Sequence, residues 1–227
     1  MKILAIIPAR GGSKGIPRKN LALLGGKPLL VHSIEHCQQV AAIHRIVVST
    51  DDAEIGQVAQ QHGAEVVWRP TEISGDAASS ESALRHVLDT LTANEGYAPD
   101  LVVFLQATSP LRQPSDLQNA IDLLIRENAD SAFSYCKMHG KLWHRTQGLL
   151  DSVSYDYRNR QPRQHMPEEL LENGSFFLFK PWVLRQHDNR LGGKIVAAEM
   201  PYADSLDVDE PPDLLLAERL LATRTPS

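Results

Sequence analysis

The sequence predicts an α/β protein with a mostly parallel sheet between two layers of helices. Short apolar runs alternate with segments whose apolar residues recur at helical spacing, an order typical of a doubly wound, three-layer α/β/α fold. The first run, MKILAIIP, breaks directly into a glycine-rich loop, as a buried strand of such a fold does. The chain has 227 residues, 42% hydrophobic and 22% charged, without an internal repeat or low-complexity linker, so a single domain spanning residues 1–227 is expected.

Strands and helices are predicted in alternation along most of the chain. The predicted strands cover residues 1–8, 45–50, 64–68, 101–105, 131–136, 176–179 and 195–200. The predicted helices cover residues 28–40, 51–62, 81–91, 116–127, 181–186 and 213–221. Ser79 or Ser80 is suited to cap the third helix. Periodicity weakens between residues 137 and 172, and an irregular segment of that length in a compact domain is usually functional or a subunit contact.

Charge and cysteine content exclude several classes of protein. The net charge of −5 argues against a general nucleic-acid-binding protein, so no nucleic-acid partner is expected. Cys37 and Cys136 form no C-x-x-C pair, which favours neither a zinc site nor a disulfide framework. No signal peptide or membrane-spanning stretch is visible, so we expect a cytoplasmic protein with no membrane partner.

The loop after the first strand combines glycines with positive charge. It reads ARGGSKGIPRKN over residues 9–20, and its cations are Arg10, Lys14, Arg18 and Lys19. Glycines let the backbone N–H groups face inward as an anion-binding nest, and the loop matches neither GxxxxGK[ST] nor GxGxxG. The pattern predicts a site for a polyanion such as a nucleoside triphosphate, at the sheet edge where α/β proteins bind ligands. A solvated basic loop is the alternative.

Two carboxylates near the C-terminus form a second signal. Asp207 and Asp209 alternate with Leu206 and Val208 in the segment SLDVDEP. In an extended chain the two carboxylates point to one side, while the apolar residues anchor the segment against the core. Magnesium prefers such oxygens together with substrate phosphates, so the pair predicts a Mg²⁺ (or Mn²⁺) site. The alternative is an aspartate cap on the last helix with a solvated neighbour.

Three motifs carry a resemblance to a known family. The loop IPARGGSKGIPRKN is similar to the signature of the N-acylneuraminate cytidylyltransferases, also called CMP-sialic acid synthetases, and LQATSPLR at residues 105–112 and ENGSFF at residues 172–177 resemble later family motifs. The resemblance covers nearly the whole chain in the same order. It implies a Rossmann-like nucleotidyltransferase fold and transfer of CMP from CTP to the anomeric hydroxyl of a nonulosonic acid such as N-acetylneuraminate, with release of pyrophosphate.

The acceptor sugar stays open at this point. Some bacterial members carry arginine two positions before Asn173, where Leu171 stands here. CMP activation of legionaminic, pseudaminic or 3-deoxy-octulosonic acid is therefore an alternative. A non-catalytic nucleotide-binding module is a further alternative, but it has no need of the aspartate pair.

The resemblance also assigns roles by position. The residues implied in nucleotide binding are Ala9, Arg10, Gly12, Ser13, Lys14, Lys19, Asn20, Arg69, Ala78 and Ser80. Those implied in sugar binding are Gln106, Thr108, Ser109, Lys141, Arg163 and Asn173. The catalytic set would be Arg10, Lys19, Asp207 and Asp209, with the two aspartates as metal ligands. The resemblance further implies a homodimer in which residues 138–172 project as a dimerisation and sugar-binding subdomain and reach the neighbouring active site.

Overall fold

The computed structural model describes residues 1–13, 15–75, 78–137, 140–166 and 168–224. The strands of the main sheet are β1 Ile3–Pro8, β4 Arg45–Thr50, β5 Glu65–Trp68, β6 Leu101–Leu105, β7 Ser131–Lys137, β10 Leu170–Phe179 and β11 Ile195–Glu199. Two small hairpins add β2 Leu23–Leu24 with β3 Lys27–Pro28, and β8 Trp143–Thr146 with β9 Leu149–Ser152. The α-helices are α1 Leu29–Gln38, α2 Ala53–Gln61, α3 Ser80–Glu95, α4 Pro114–Arg126, α5 Pro181–His187 and α6 Pro211–Ala222. None of the helices in these ranges is long and apolar enough to cross a membrane.

The main sheet has the order β11-β7-β10-β6-β1-β4-β5. Neighbouring strands run parallel except at β10, which is antiparallel to both β6 and β7. From β1 the chain builds outward through β4 to β5, then returns to place β6 on the other side of β1. Ligands of open α/β sheets bind at such a reversal, between the carboxyl ends of the two strands. The predicted mostly parallel α/β fold is confirmed.

Both faces of the sheet are covered, which explains the nearly continuous apolar strands. In β1, Ile3, Ala5 and Ile7 join a core with residues of α1, α2 and α4. Leu4 and Ile6 face the opposite way and pack with residues of α3 and α5. This alternation follows from the two-residue repeat of a strand, and burial on both faces is typical of parallel sheets.

Several predicted boundaries move because of capping residues. Ser79, rather than Ser80, caps α3, since its Oγ accepts a hydrogen bond from the N–H of Ser82 at 3.1 Å. The same helix continues to Glu95, where Gly96 ends it in the left-handed conformation at φ 62°. The last helix begins at Pro211, two residues earlier than predicted, because proline is well tolerated in the first turn.

The segment predicted to be irregular contains a hairpin. Gln147 and Gly148 both have positive φ, 51° and 84°, as a tight two-residue turn between β8 and β9 requires. Both strands are exposed on each face, so the alternation that reveals a half-buried strand is missing from their sequence. The strand predicted to begin at Phe176 begins six residues earlier, at Leu170. Leu170–Glu172 already pair with β7, and a register shift after Glu172 separates them from the apolar part of the strand.

A fully buried arginine links three distant segments. Arg112 donates from Nε to Ser175 Oγ at 2.9 Å, from Nη1 to Ser33 Oγ at 2.8 Å, and from Nη2 to the carbonyls of Ser175 and Gln106. These partners are neutral, and burial lowers the pKa of Arg112 to about 10. The guanidinium therefore stays charged at neutral pH and is stabilised by oriented hydroxyl and carbonyl oxygens.

Replacing Arg112 with Met should destabilise the fold strongly. The change leaves the carbonyl of Gln106 and the polar groups of Ser175 and Ser33 buried without their donor, which costs about 3 kcal/mol. Urea unfolding of the variant measures this loss. Arg126→Met is the matched control, because that side chain is 66% exposed. A loss for Arg112→Met no larger than for the control would contradict the linking role.

Candidate active site

A cleft of about 680 Å³ lies at the carboxyl ends of β1 and β6. Its walls come from the basic loop, the start of α3, the segment after β6 and the aspartate segment before α6. The lining residues are Pro8, Arg10, Gly12, Ser13, Gly15, Lys19, Asn20, Ser80, Phe104, Gln106, Ala107, Thr108, Asp207, Asp209 and Glu210. The topology thus brings the basic loop and the aspartate pair to one cavity.

Hydrogen bonds to the ends of neighbouring segments hold the basic loop. Ala9 N–H donates to the carbonyl of Ser49 at 2.9 Å, and Gly11 N–H donates to Asp51 Oδ1 at 3.0 Å. The buried Asn20 amide donates to the carbonyl of Arg10 at 2.9 Å, so this predicted nucleotide contact also fixes the loop itself. The backbone is therefore held in place before any ligand arrives.

Gly15 allows the loop to lie directly on the aspartate segment. A Cβ at this position would come within 2.1 Å of the carbonyl oxygen of Asp209. No side chain other than hydrogen fits such an approach without moving one of the two segments. The glycine thus determines how closely the two charged walls of the cleft approach each other.

Some cations of the basic loop line the cleft, and another pairs with carboxylates at the start of α2. Arg10 and Lys19 line the cleft, and Lys19 Nζ lies 2.7 Å from Asp209 Oδ1. Arg18 adopts the left-handed conformation at φ 53° and pairs instead with Asp52 and Glu54 of the α2 cap, at 3.2 and 2.7 Å. Lys14, predicted to bind phosphate, lies outside the described residues.

The aspartate pair has the alternating geometry that the sequence predicts. Val208 is fully buried with Ile16 and Leu111 in a small apolar cluster beneath the cleft. Its N–H donates to the carbonyl of Thr108 at 2.8 Å, which joins this segment to the motif after β6. Asp207 and Asp209, on either side of Val208, both line the cleft.

The two aspartates differ in their surroundings. Burial raises the pKa of Asp207; the Thr108 hydroxyl opposes this shift by hydrogen bonding, whereas the charge of Asp209 adds to it. Among the described residues, Asp207 Oδ1 is buried without a hydrogen-bond partner. The side chain of Asp209 is 68% exposed and is paired with Lys19. The site therefore contains a buried acceptor oxygen that a cation can satisfy.

The residues predicted to bind the base lie around the start of α3. Ser80 lines the cleft, and Ala78 N–H donates to the carbonyl of Gly75 at 3.1 Å. Arg69 is not among the described lining residues. Its guanidinium donates to the carbonyl of Ser49 at 2.8 Å, and burial lowers its pKa. In this chain Arg69 thus supports the end of β4.

The residues predicted to bind the sugar separate into two groups. Gln106 and Thr108 line the cleft. Ser109 is fully buried, and the Nζ of Lys141 lies 4.3 Å from the centre of the Tyr155 ring. Arg163 begins a short 3-10 helix, Arg163–His165, and its side chain lies outside what the structure describes.

Asn173 has hydrogen bonds to several neighbouring segments. Its Oδ1 accepts from Ser134 Oγ at 2.6 Å and from the N–H of Ser175 at 3.2 Å. Its Nδ2 donates to Ser205 Oγ at 2.8 Å. Asn173 therefore connects two strands to the loop that leads to Asp207, and it is not among the described residues that line the cleft.

Five lining residues were not among the predicted site residues. They are Pro8, Gly15, Phe104, Ala107 and Glu210. The position of Phe104 near the carboxyl end of a predicted strand was the available signal, but its apolar character indicated only a core residue.

The family model described as "Cytidylyltransferase" matches residues 4–201 of the chain. N-acylneuraminate cytidylyltransferase A from Danio rerio is 36% identical over 222 residues, which cover 96% of this chain and 50% of that protein. The N-acylneuraminate cytidylyltransferase of Escherichia coli is 30% identical over 95% of this chain and 51% of its own. CMP-N,N′-diacetyllegionaminic acid synthase from Legionella pneumophila is 34% identical, with 97% of each chain covered.

The chain belongs to the cytidylyltransferase family, and its resemblance to N-acylneuraminate cytidylyltransferases is confirmed. It spans about half the length of the curated N-acylneuraminate relatives that it matches. Solved structures agree on the fold. CMP:2-keto-3-deoxy-manno-octonic acid synthetase complexed with CTP superposes with a TM-score of 0.72 at 21% identity, covering 98% of this chain and 99% of that one. 4-Diphosphocytidyl-2C-methyl-D-erythritol synthase reaches 0.70 at 16% identity, covering 97% and 99%.

Replacing Asp207 with Asn should stabilise the ligand-free protein at neutral pH. Folding raises the pKa of Asp207, so the ionised carboxylate destabilises the folded protein. This destabilisation is absent at a pH below 3.8, the ordinary pKa, and is complete at a pH above the raised pKa of the folded state. We expect Tm at pH 7 to rise by roughly 1–3 °C, and the difference from wild type to vanish in acid.

Thermal unfolding across pH measures this effect. Asp209→Asn is the control, since it removes an exposed carboxylate paired with Lys19 and offers no relief from burial. A lower Tm for Asp207→Asn at pH 7 would contradict the raised pKa.

Proposed function

We propose that the protein transfers CMP from CTP to the anomeric hydroxyl of a nonulosonic acid and releases pyrophosphate. The observation that carries this proposal is the meeting of a cationic glycine-rich loop and a carboxylate pair across one cleft, with Lys19 and Asp209 2.7 Å apart. A non-catalytic nucleotide-binding module would need the loop but gives no reason for two carboxylates beside it.

The basic loop supplies the charge that phosphoryl chemistry requires. Transfer of a nucleotidyl group depends mostly on positioning and on neutralising charge on the phosphate oxygens. Arg10 and Lys19 provide full positive charges, and Gly12 and Ser13, which also line the cleft, are proposed to donate hydrogen bonds to the phosphates. Lys14 is proposed to add a further charge. The acceptor hydroxyl attacks the α-phosphate in line with the leaving pyrophosphate.

Asp207 and Asp209 are proposed to hold Mg²⁺ (or Mn²⁺). The unpartnered Asp207 Oδ1 and the facing carboxylate of Asp209 fit a hard cation. Within the described ranges, no group of three or more His, Cys, Asp or Glu side chains converges, so phosphate oxygens and water would complete the ligand set. A divalent cation bound there supplies charge neutralisation at the phosphates. Lys19 gives Asp209 a positive partner until the nucleotide arrives.

The acceptor is proposed to lie beside Gln106 and Thr108. Arg163 and Lys141 suit its carboxylate, because guanidinium and ammonium groups donate charge-assisted hydrogen bonds to both oxygens. Ser109 and Asn173 are proposed to shape this end of the site. The relative of matching length is named for a legionaminic acid derivative, so that acid is the second candidate acceptor.

We also propose a homodimer in which residues 138–172 of each chain reach the neighbouring cleft. Exposed apolar side chains on the hairpin, including Leu149 at 76% exposure, Leu150 and Trp143, support a contact surface there. This arrangement would give a role to Lys141, which is not among the described residues that line its own cleft. Sedimentation of the chain as a monomer would contradict it.

The decisive test is pyrophosphate release from CTP in the presence of separate nonulosonic acids. The panel contains N-acetylneuraminate, a legionaminic acid, a pseudaminic acid and 3-deoxy-octulosonic acid, each assayed with Mg²⁺, with Mn²⁺ and with excess chelator. We expect release only with an acceptor and a divalent cation, and most efficiently with N-acetylneuraminate. A preference for the legionaminic acid selects the second candidate, and no release with any acid contradicts the proposed function.

Replacing Arg10 with Ala should lower kcat/KM at least tenfold, because a charge that faces the phosphates is lost. This corresponds to about 1.4 kcal/mol of transition-state stabilisation. Arg18→Ala is a control in the same loop, since Arg18 pairs with Asp52 and Glu54 on α2 instead of lining the cleft. Its kcat/KM should stay within about twofold of wild type. Equal losses in both variants would show that only the total charge of the loop matters.

A further inference from the structure

Arg190, in the loop between α5 and β11, contacts two parts of the cleft wall from outside the cleft. Its Nε donates to Glu81 Oε1 at 2.7 Å, and its Nη2 approaches the same oxygen at 2.7 Å. Its guanidinium carbon lies 4.9 Å from the ring centre of Phe104 and 4.8 Å from that of Phe177. Only 19% of the Arg190 side chain and 14% of the Glu81 side chain are exposed.

These contacts extend to the end of the cleft formed by the start of α3. Glu81 directly follows Ser80, the first residue of α3 and a lining residue. Phe104 also lines the cleft, and its ring stacks on that of Phe177 at 5.7 Å between centres. Arg190 therefore fixes one lining side chain directly and the first turn of a lining helix through a carboxylate.

The chemistry of this contact suits a rigid support. A guanidinium offers a planar set of donors to a carboxylate and a flat face to aromatic rings, which an ammonium group cannot do at the same time. Without Arg190, the carboxylate of Glu81 would be left largely buried and unpaired. The first turn of α3 would then move toward water to hydrate that charge.

We propose that Arg190, acting through Glu81 and Phe104, is a positioning residue for the nucleotide end of the site. It holds Ser80 and the Phe104 ring in the arrangement that receives the nucleoside of CTP. This inference rests on the proposed function for the identity of the nucleotide. It adds a residue that contacts neither the phosphates nor the acceptor, so its loss should affect CTP affinity rather than the chemical step.

The test compares Arg190→Met, Arg190→Lys, Glu81→Gln and the double variant Arg190→Met with Glu81→Gln. Calorimetric titration with CTP alone gives Kd, and steady-state kinetics give KM for CTP, KM for the acid and kcat. We expect Arg190→Met to raise Kd and KM for CTP about tenfold, with kcat and the acid KM within about twofold. Arg190→Lys should recover part of the loss. The double variant should be little worse than Arg190→Met, because both changes remove one interaction.

Arg85→Ala is the matched control. Arg85 pairs with Asp188, so it joins the same helix to the same loop, but these side chains are 44% and 74% exposed. Its CTP affinity should stay within about twofold of wild type. Equal effects of Arg85→Ala and Arg190→Met, or additive effects of Glu81→Gln and Arg190→Met, would overturn the proposal, as would unchanged CTP affinity in a folded Arg190→Met.

The outcome separates this inference from the proposed function. Should Arg190→Met fail to fold, Arg190→Lys and Glu81→Gln decide, and wild-type CTP affinity in both would overturn the inference. A wild-type protein that binds CTP but releases no pyrophosphate sinks the transfer reaction, while the CTP titrations still decide the role of Arg190. A wild-type protein that does not bind CTP overturns both.

Discussion

The hydrogen bonds of the buried Arg112 guanidinium hold together three segments that come from very different parts of the chain. Through Ser33 it reaches the helix that follows the basic loop, through Gln106 the segment after β6, and through Ser175 the apolar part of β10. None of these partners carries a charge, so the cost of burying the cation is met by fixed dipoles. The rigid, planar set of guanidinium donors can satisfy these partners in only a few geometries. Arg112 therefore fixes the relative positions of the three segments. The lining position of Gln106 depends on that geometry.

The charged side chains of the cleft lower the stability of the ligand-free protein. Within the described ranges, Asp207 is held partly out of water with one oxygen lacking a hydrogen-bond partner, and Lys19 on the opposite wall pairs directly with the neighbouring Asp209. The arrangement becomes favourable when a polyanion and its counter-charge fill the space. Electrostatic preorganisation of this kind is common where charge must be stabilised during a reaction.

Local patterns in the sequence predicted the fold and the centre of the site. The apolar runs of β1 and β6, the glycines of the loop and the alternation around Val208 each act over a few residues, so their geometry follows from the chain itself. The resemblance to family motifs also predicted the order in which the segments of the site follow one another along the chain. Contacts with partners distant in the sequence could not be predicted in this way. Arg18 and Arg69 are both cations near the loop, yet one pairs with the α2 cap and the other with the end of β4. Nothing in their neighbouring residues specifies these partners, and the hairpin at Gln147 and Gly148 lacked a buried face to reveal it.

The contact of Gly15 with the backbone of Asp209 determines when the cleft can form during synthesis of the chain. Lys19 and Asp209, which meet in the same place, are 190 positions apart. The ribosome therefore completes β1 and the basic loop long before Asp207 and Asp209 emerge. A nascent chain that ends before Asp207 contains the seven described strands of the main sheet but lacks the carboxylate that pairs with Lys19. The two charged walls of the cleft can therefore meet only after the segment around Asp209 has been synthesised and has packed against Gly15.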